Sequence, residues 1–171
     1  MLPALHDDVI VLTGYTDEDM PSPAGANGAT AHRYGPLARI PAPATVRDAF
    51  AHWAQECETA GSTRLFAARE QATGRLLGGC ELRIRRGGSA RVCYWTAAPD
   101  RGHGYATRSL VLLLHYASAI GIRRAEAYVA ANNHASRRVA EKAGLLAVAA
   151  FTAPDGTGMI QHQINLAGST Y

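Results

Sequence analysis

Apolar and polar positions recur along this chain with a period that changes several times, and each change marks a boundary. The run DVIVLTGY, residues 8–15, alternates as a strand does. Residues 14–44 are Gly-, Pro- and Ala-rich and weakly periodic, which predicts an irregular loop or short helical pieces. Loops of that length serve as lids or binding segments, or else are disordered, and both alternatives stay open at this stage. Thr45 then stands as an N-cap, and Val46, Ala49, Phe50, Trp53 and Cys57 form one helical stripe that Gly61 ends. A strand meander follows, TRLFAARE, RLLGGCELRIRR and SARVCYWTAAP, broken at QATG and GG and stopped by Pro99. Leu110, Leu113, Leu114, Ala117 and Ile120 return to helical spacing before Gly121. RRAEAYVAA reads as a buried strand. NNHASRRVAEKAGL reads as a helix with Asn133 at its N-cap, Val139, Ala140 and Ala143 inward and Gly144 as its stop. The last run predicts a hairpin turning at Pro154, Asp155 and Gly156.

This order of strands and helices predicts an α/β or α+β domain with a mixed sheet, and 171 residues suit a single domain spanning 1–171. A hydrophobic content of 47% with 18% charged residues fits a soluble globular protein. The net charge of +3 comes from scattered arginines rather than a dense basic patch, so no nucleic-acid partner is expected. Cys57, Cys80 and Cys93 follow no ligand spacing, which points to a reducing compartment and no structural metal. No run is long and apolar enough to cross a membrane, and no secretory leader is evident, so a cytoplasmic protein without a membrane partner is expected.

The chemistry concentrates in DRGHGYATRSL, residues 100–110, where two glycines and a histidine precede an apolar helix. Such glycines either punctuate a strand-to-helix turn or bare the N–H groups of a helix N-terminus to an anion. The loop is no nucleotide-triphosphate loop, because no Gly-Lys-Ser/Thr follows. It is no dinucleotide fingerprint either, since Thr107 stands where the third glycine belongs.

Together with its surroundings, the loop resembles the GNAT superfamily of acyl-CoA-dependent N-acetyltransferases. RGHGYAT fits the family's Arg/Gln-x-x-Gly-x-Gly/Ala signature, with Arg101, Gly104 and Ala106 at the defining places. NHASRRVAEKAGL is similar to the family's next motif through Asn133, Ser136, Val139, Lys142 and Gly144, while Leu145 replaces the usual aromatic residue. ARVCYWTAAPDRG looks like the strand that leads into the loop, especially in the branch typified by ribosomal-protein Nα-acetyltransferases. The resemblance implies a mixed sheet of about seven strands flanked by helices on both faces, with one splayed strand pair that receives acetyl-CoA. It implies that the backbone of Gly102, His103, Gly104, Tyr105, Ala106 and Thr107 meets the pyrophosphate, beside Arg101. Trp95, Thr96 and Ala97 would pair with the pantetheine arm, and no metal is implied.

Asn133 caps its helix, sends its amide to the cofactor arm, or does both. Ser136 either completes the cap or protonates the departing thiolate; the tyrosine that many relatives carry one turn on is Ala140 here. The attacking amine must be neutral, so a base or a water relay is needed. Glu81 is the candidate base, with Glu70, His32 and His52 as rivals and a solvated strand carboxylate as the alternative. His103 is expected to matter through its backbone, and Lys142 as a charge complementing the helix dipole. The acceptor is a primary amine, on a protein N-terminus or a small molecule, and the oligomeric expectation is a monomer or homodimer. A non-catalytic acyl-CoA-binding or sensing module is the alternative to an enzyme.

Overall fold

The run from Leu77 to Leu82 is buried without interruption, glycines and Glu81 included, so this strand lies inside a sheet covered on both faces. It is β4 (Leu76–Arg85) of the computed structural model, which describes residues 2–16, 19 and 61–166. The other strands are β1 (Leu5–His6), β2 (Ile10–Thr13), β3 (Thr63–Glu70), β5 (Ser89–Thr96), β6 (Arg124–Ala130), β7 (Leu146–Thr152) and β8 (Gly158–Asn165). They form one 8-stranded sheet in the order β1-β2-β3-β4-β5-β6-β8-β7. The count exceeds the expected seven or so because Leu5–His6 folds back on Val11 and Leu12.

Every neighbouring pair is antiparallel except β5 and β6, which run parallel. Parallel neighbours need a long crossover, and helix α1 (Tyr105–Ala119) supplies it. Helix α2 (His134–Lys142) carries the chain from β6 to β7. The two helices pack against each other and share one core with the sheet face that bears Phe66, Leu82, Val92, Ala125 and Ala127. The helix expected between the Thr45 cap and the Gly61 stop and most of the irregular stretch 14–44 lie outside the described residues.

Within α1 the stripe Leu110, Leu113, Leu114 and Ala117 is buried as its spacing predicts, together with Ser109. Ile120 departs from the expectation: it is 41% exposed. The helix ends at Ala119, and the left-handed Gly121 (φ 84°) turns the chain so that Ile122 takes the buried place instead. In β6, Ala125, Ala127 and Val129 point inward in strict alternation. Strand β7 is an edge and is exposed along its whole length, with Leu146 71% exposed.

Candidate functional site

Strands β5 and β6 are hydrogen-bonded only where Ser89–Arg91 face Arg124–Glu126. Past that point both continue, to Thr96 and Ala130, without pairing, so the sheet opens into a cleft at the C-terminal ends of the two strands. Which backbone groups face the cleft follows from the register with β4. The N–H of Ala97 bonds Leu77 O at 2.8 Å, and Trp95 lies opposite Gly79. Because hydrogen-bonding direction alternates along an antiparallel strand, Trp95 and Ala97 turn their N–H groups to β4, and Tyr94 and Thr96 turn theirs to the cleft. Of the three positions expected there, Thr96 therefore lines the cleft with its backbone, whereas Trp95 and Ala97 do not. Trp95 contributes its ring instead: its indole hydrogen-bonds the Tyr15 hydroxyl. Gly79 makes room for the pair, since a Cβ there would lie 2.0 Å from the Tyr15 hydroxyl oxygen.

Beyond Thr96 the chain forms a 3-10 turn over Ala98–Asp100 with Pro99 at its start. The buried Asp100 fixes this turn through an ion pair with Arg75 at 2.8 Å. Gly102 and Gly104 then take left-handed conformations, φ 84° and 83°. Nothing lies within 4 Å of where a Cβ would sit on either, so backbone conformation rather than crowding calls for glycine here. Gly104 is the N-cap of α1 and offers no side-chain bond. Among the described residues nothing accepts a hydrogen bond from the N–H groups of Gly102, His103, Gly104, Tyr105, Ala106 or Thr107; the helical ladder starts at Arg108, which bonds Gly104 O at 3.1 Å. Six consecutive donors at a helix start make a seat for an anion. The His103 ring is exposed, stacks on Tyr105 at 5.7 Å, and sets Nδ1 3.2 Å from Asp100 O. Arg101 is exposed, with Nε 3.5 Å from Thr96 O.

The first turn of α1 is tied down by Arg108, which bridges Asp7 and Asp8 at 2.8 Å each. Burial opposes ionisation of Asp7, but the N–H groups of Ile10 and Val9 together with Arg108 outweigh it and hold its carboxyl below the usual range.

Across the cleft, Asn133 caps α2 by accepting from the Ser136 N–H at 3.1 Å. The Ser136 hydroxyl donates to the Tyr94 hydroxyl at 3.0 Å, and Tyr94 lies 2.8 Å from Ser136 O. Burial pushes the Tyr94 phenol up to about 12, against the pull of its bond with Ser136, so it stays protonated. Ala140 fills the position one turn past Ser136, so by sequence alone a tyrosine is out of reach. The described Ala140 is fully buried, and a tyrosine arrives instead from β5, on the strand face that alternation turns toward α2.

Glu81 is 3% exposed, which removes the alternative of a solvated strand carboxylate. It pairs with Arg83 at 2.7 Å and shares the sheet face opposite the helices with Trp95 and Cys93. Burial, reinforced by the Glu81 charge, pushes the Cys93 thiol up to about 11, so it is no thiolate nucleophile. Glu70 lies at the far end of β3 and bonds Thr73 and Arg75. His32 and His52 lie outside the described residues. Lys142 stands in the last turn of α2, the dipole-complementing position. Among the described residues no group of His, Cys, Asp and Glu side chains could hold a metal, and no helix is long and apolar enough to cross a membrane.

Residues 10–146 match the family model of the acetyltransferase (GNAT) domain. No curated protein matches the chain. Among solved structures, the chain is similar to RimL, a ribosomal L7/L12 alpha-N-protein acetyltransferase in complex with coenzyme A: TM-score 0.83, 13% identity, 98% of this chain and 100% of that one covered. It is also similar to the ribosomal-protein-S5-alanine acetyltransferase from Vibrio fischeri, at TM-score 0.76 and 11% identity over 97% and 98% of the chains. A spermidine N-acetyltransferase SpeG chimera from Vibrio cholerae and hSSAT gives TM-score 0.73 and 16% identity over 92% and 96%.

Proposed function

The chain belongs to the acetyltransferase (GNAT) domain family, and on that premise we propose that it moves the acetyl group of acetyl-CoA to a primary amine, on a protein N-terminus or a small molecule. The observation that carries this reading is a juxtaposition: the opened β5–β6 cleft runs into the six unpartnered N–H groups of Gly102 to Thr107. That pairing fits a ligand with a doubly charged phosphate end and an extended amide-bearing arm. The N–H groups of 102–107 would hold the pyrophosphate, the backbone of Tyr94 and Thr96 the arm, and the thioester would supply an acetyl group already activated for attack.

In this proposal Glu81 takes the proton from the acceptor ammonium, directly or through water, so that the neutral amine attacks. The C–N bond forms, the attacking nitrogen gives up its second proton to solvent, the C–S bond breaks, and Ser136 donates its hydroxyl hydrogen to the departing sulfur and recovers one from solvent. The support for Glu81 is its burial, its pairing with Arg83 and its place on the same sheet face as Trp95, one cross-strand pair away. Protein and small-molecule amines stay together because the similar structures include enzymes named for both.

Release of free thiol from acetyl-CoA, measured across a panel of peptides and small amines, tests the reading. Amine-dependent release is expected; tight CoA binding with no release from any amine would make the chain a binding or sensing module. For the base, Glu81→Gln should depress kcat/KM most near neutral pH. It should recover partly as pH rises toward the acceptor's own pKa, about 8 for an N-terminal amine. Parallel pH profiles for the two forms would assign Glu81 to substrate placement, not proton transfer.

A further inference from the structure

We propose that Tyr94 is a positioning residue for the leaving-group step, holding the Ser136 hydroxyl in the arrangement that lets it donate to the departing sulfur. This rests on the acetyltransferase reading and on Ser136 as the donor. The observation is that one phenolic oxygen lies within hydrogen-bond distance of two oxygens of the same residue, Ser136 Oγ at 3.0 Å and Ser136 O at 2.8 Å.

Two hydrogen arrangements satisfy that geometry, because hydroxyl hydrogens rotate to suit their partners. In one, Tyr94 donates to the Ser136 carbonyl and the serine hydrogen is spent on Tyr94. In the other, Tyr94 donates to Ser136 Oγ, and the serine hydrogen is released to point elsewhere. The second arrangement turns Ser136 from a group facing Tyr94 into an outward donor. The switch leaves the carbonyl in its helical setting, where an N–H one turn on can still serve it. As the S–H bond forms and the Oγ–H bond breaks, the oxygen left behind keeps the Tyr94 hydrogen bond, which is stronger to a charged acceptor than to a neutral one. The serine regains its proton from solvent. Tyr94 itself neither gains nor loses a proton, and its half-buried, protonated phenol suits that role.

The pairing also explains why a strand residue is a tyrosine where its inward neighbours are Ala90 and Val92. Packing alone asks only for the ring at that place.

The test is Tyr94→Phe, which keeps the ring and removes the oxygen, compared with Ser136→Ala and with the double variant under conditions where chemistry limits the rate. Tyr94→Phe should lower kcat roughly tenfold, less than the hundredfold or more that a general acid itself typically contributes, with KM for acetyl-CoA and CoA affinity unchanged. The double variant should turn over no more slowly than Ser136→Ala alone, since both changes remove one donor. A wild-type kcat in Tyr94→Phe, alongside a slow Ser136→Ala, would overturn the proposal and leave the Ser136 assignment intact. Unchanged turnover in both single variants would sink the serine assignment, and the tyrosine role with it. Losses that multiply in the double variant, or a loss confined to KM, would also overturn it by giving Tyr94 an effect that does not pass through Ser136.

Discussion

Helices α1 and α2 end alike and begin differently. At both C-termini the chain turns through a left-handed glycine, Gly121 and Gly144. The following N–H returns to a carbonyl five residues back: Ile122 to Ala117 O at 2.9 Å, Leu145 to Ala140 O at 3.0 Å. Both apolar residues are buried against the turns they close, and this Schellman geometry satisfies the trailing carbonyls. At the N-termini the two helices part. Asn133 lends α2 a side-chain acceptor, while α1 begins on a bare glycine with its leading N–H groups unmatched among the described residues. A side-chain cap at position 104 would gain only a few tenths of a kcal/mol over glycine, less than the strain of most side chains at φ 83°. In the proposed function the omission has a second reason: a built-in acceptor would compete with the pyrophosphate for the same donors.

The largest effect should come from filling the bare start. Gly104→Val places a β-branched residue at φ 83°, a conformation that costs an L-residue about 1–2 kcal/mol. It also sets a side chain over the donors, so CoA affinity should fall about tenfold or more. Calorimetric titration with CoA reads this directly. A folded Gly104→Val protein that binds CoA as tightly as wild type would remove the pyrophosphate from this loop.

The capped start gives a smaller and divisible effect. Asn133→Ala removes the acceptor of the Ser136 N–H and should cost about 1 kcal/mol of stability. Asn133→Asp keeps an acceptor oxygen and puts a negative charge at a helix N-terminus, so thermal stability should hold. The aspartate lacks the amide donor. If CoA affinity falls in Asn133→Asp while stability does not, the amide serves the cofactor arm as well as the helix; unchanged affinity would leave Asn133 as a cap alone.

How far the sequence reveals this architecture depends on the range of the interactions involved. Both C-terminal glycines, the Asn133 cap and the meander of β3 to β5 rest on contacts within a few residues, and the local pattern announces them. Ile120 misleads because helical periodicity is extrapolated one residue past Ala119, where the helix ends before Gly121 turns the chain. The two-residue β1 is too short to carry a period. The Tyr94–Ser136 contact joins residues 42 apart, and Glu81 owes its burial to its place in an inner strand, so neither is visible in local spacing. Alternation does put Tyr94 on the helix side of β5, and that is the only advance signal of the pair. The freed backbone of the cleft depends on a hydrogen-bond register with β4 that no composition encodes, which is why the motif alone points to Trp95 and Ala97 beside Thr96 and misses Tyr94.

The smallest effect tests whether the contrast between the two helix starts is one of backbone alone. His103 is the one ionisable side chain between the two glycines, and an imidazolium could add its charge to the seat. Its ring instead stacks on Tyr105, with Nδ1 3.2 Å from Asp100 O, both contacts local to the loop. His103→Ala should therefore change CoA affinity by no more than about twofold, the loss of one exposed hydrogen bond being worth a few tenths of a kcal/mol. The pH dependence carries the sharper distinction. An imidazolium bound to phosphate would make CoA binding tighter in mild acid than at neutral pH, and the His103→Ala protein would lose that dependence. Titrations of both proteins between about pH 6 and 8 should instead run in parallel, because the backbone N–H groups do not titrate there and any change in the ionisation of CoA itself is common to both. A pH dependence present in wild type and absent from His103→Ala would give the anion seat a side-chain charge, and the open start of α1 would then be more than bare backbone.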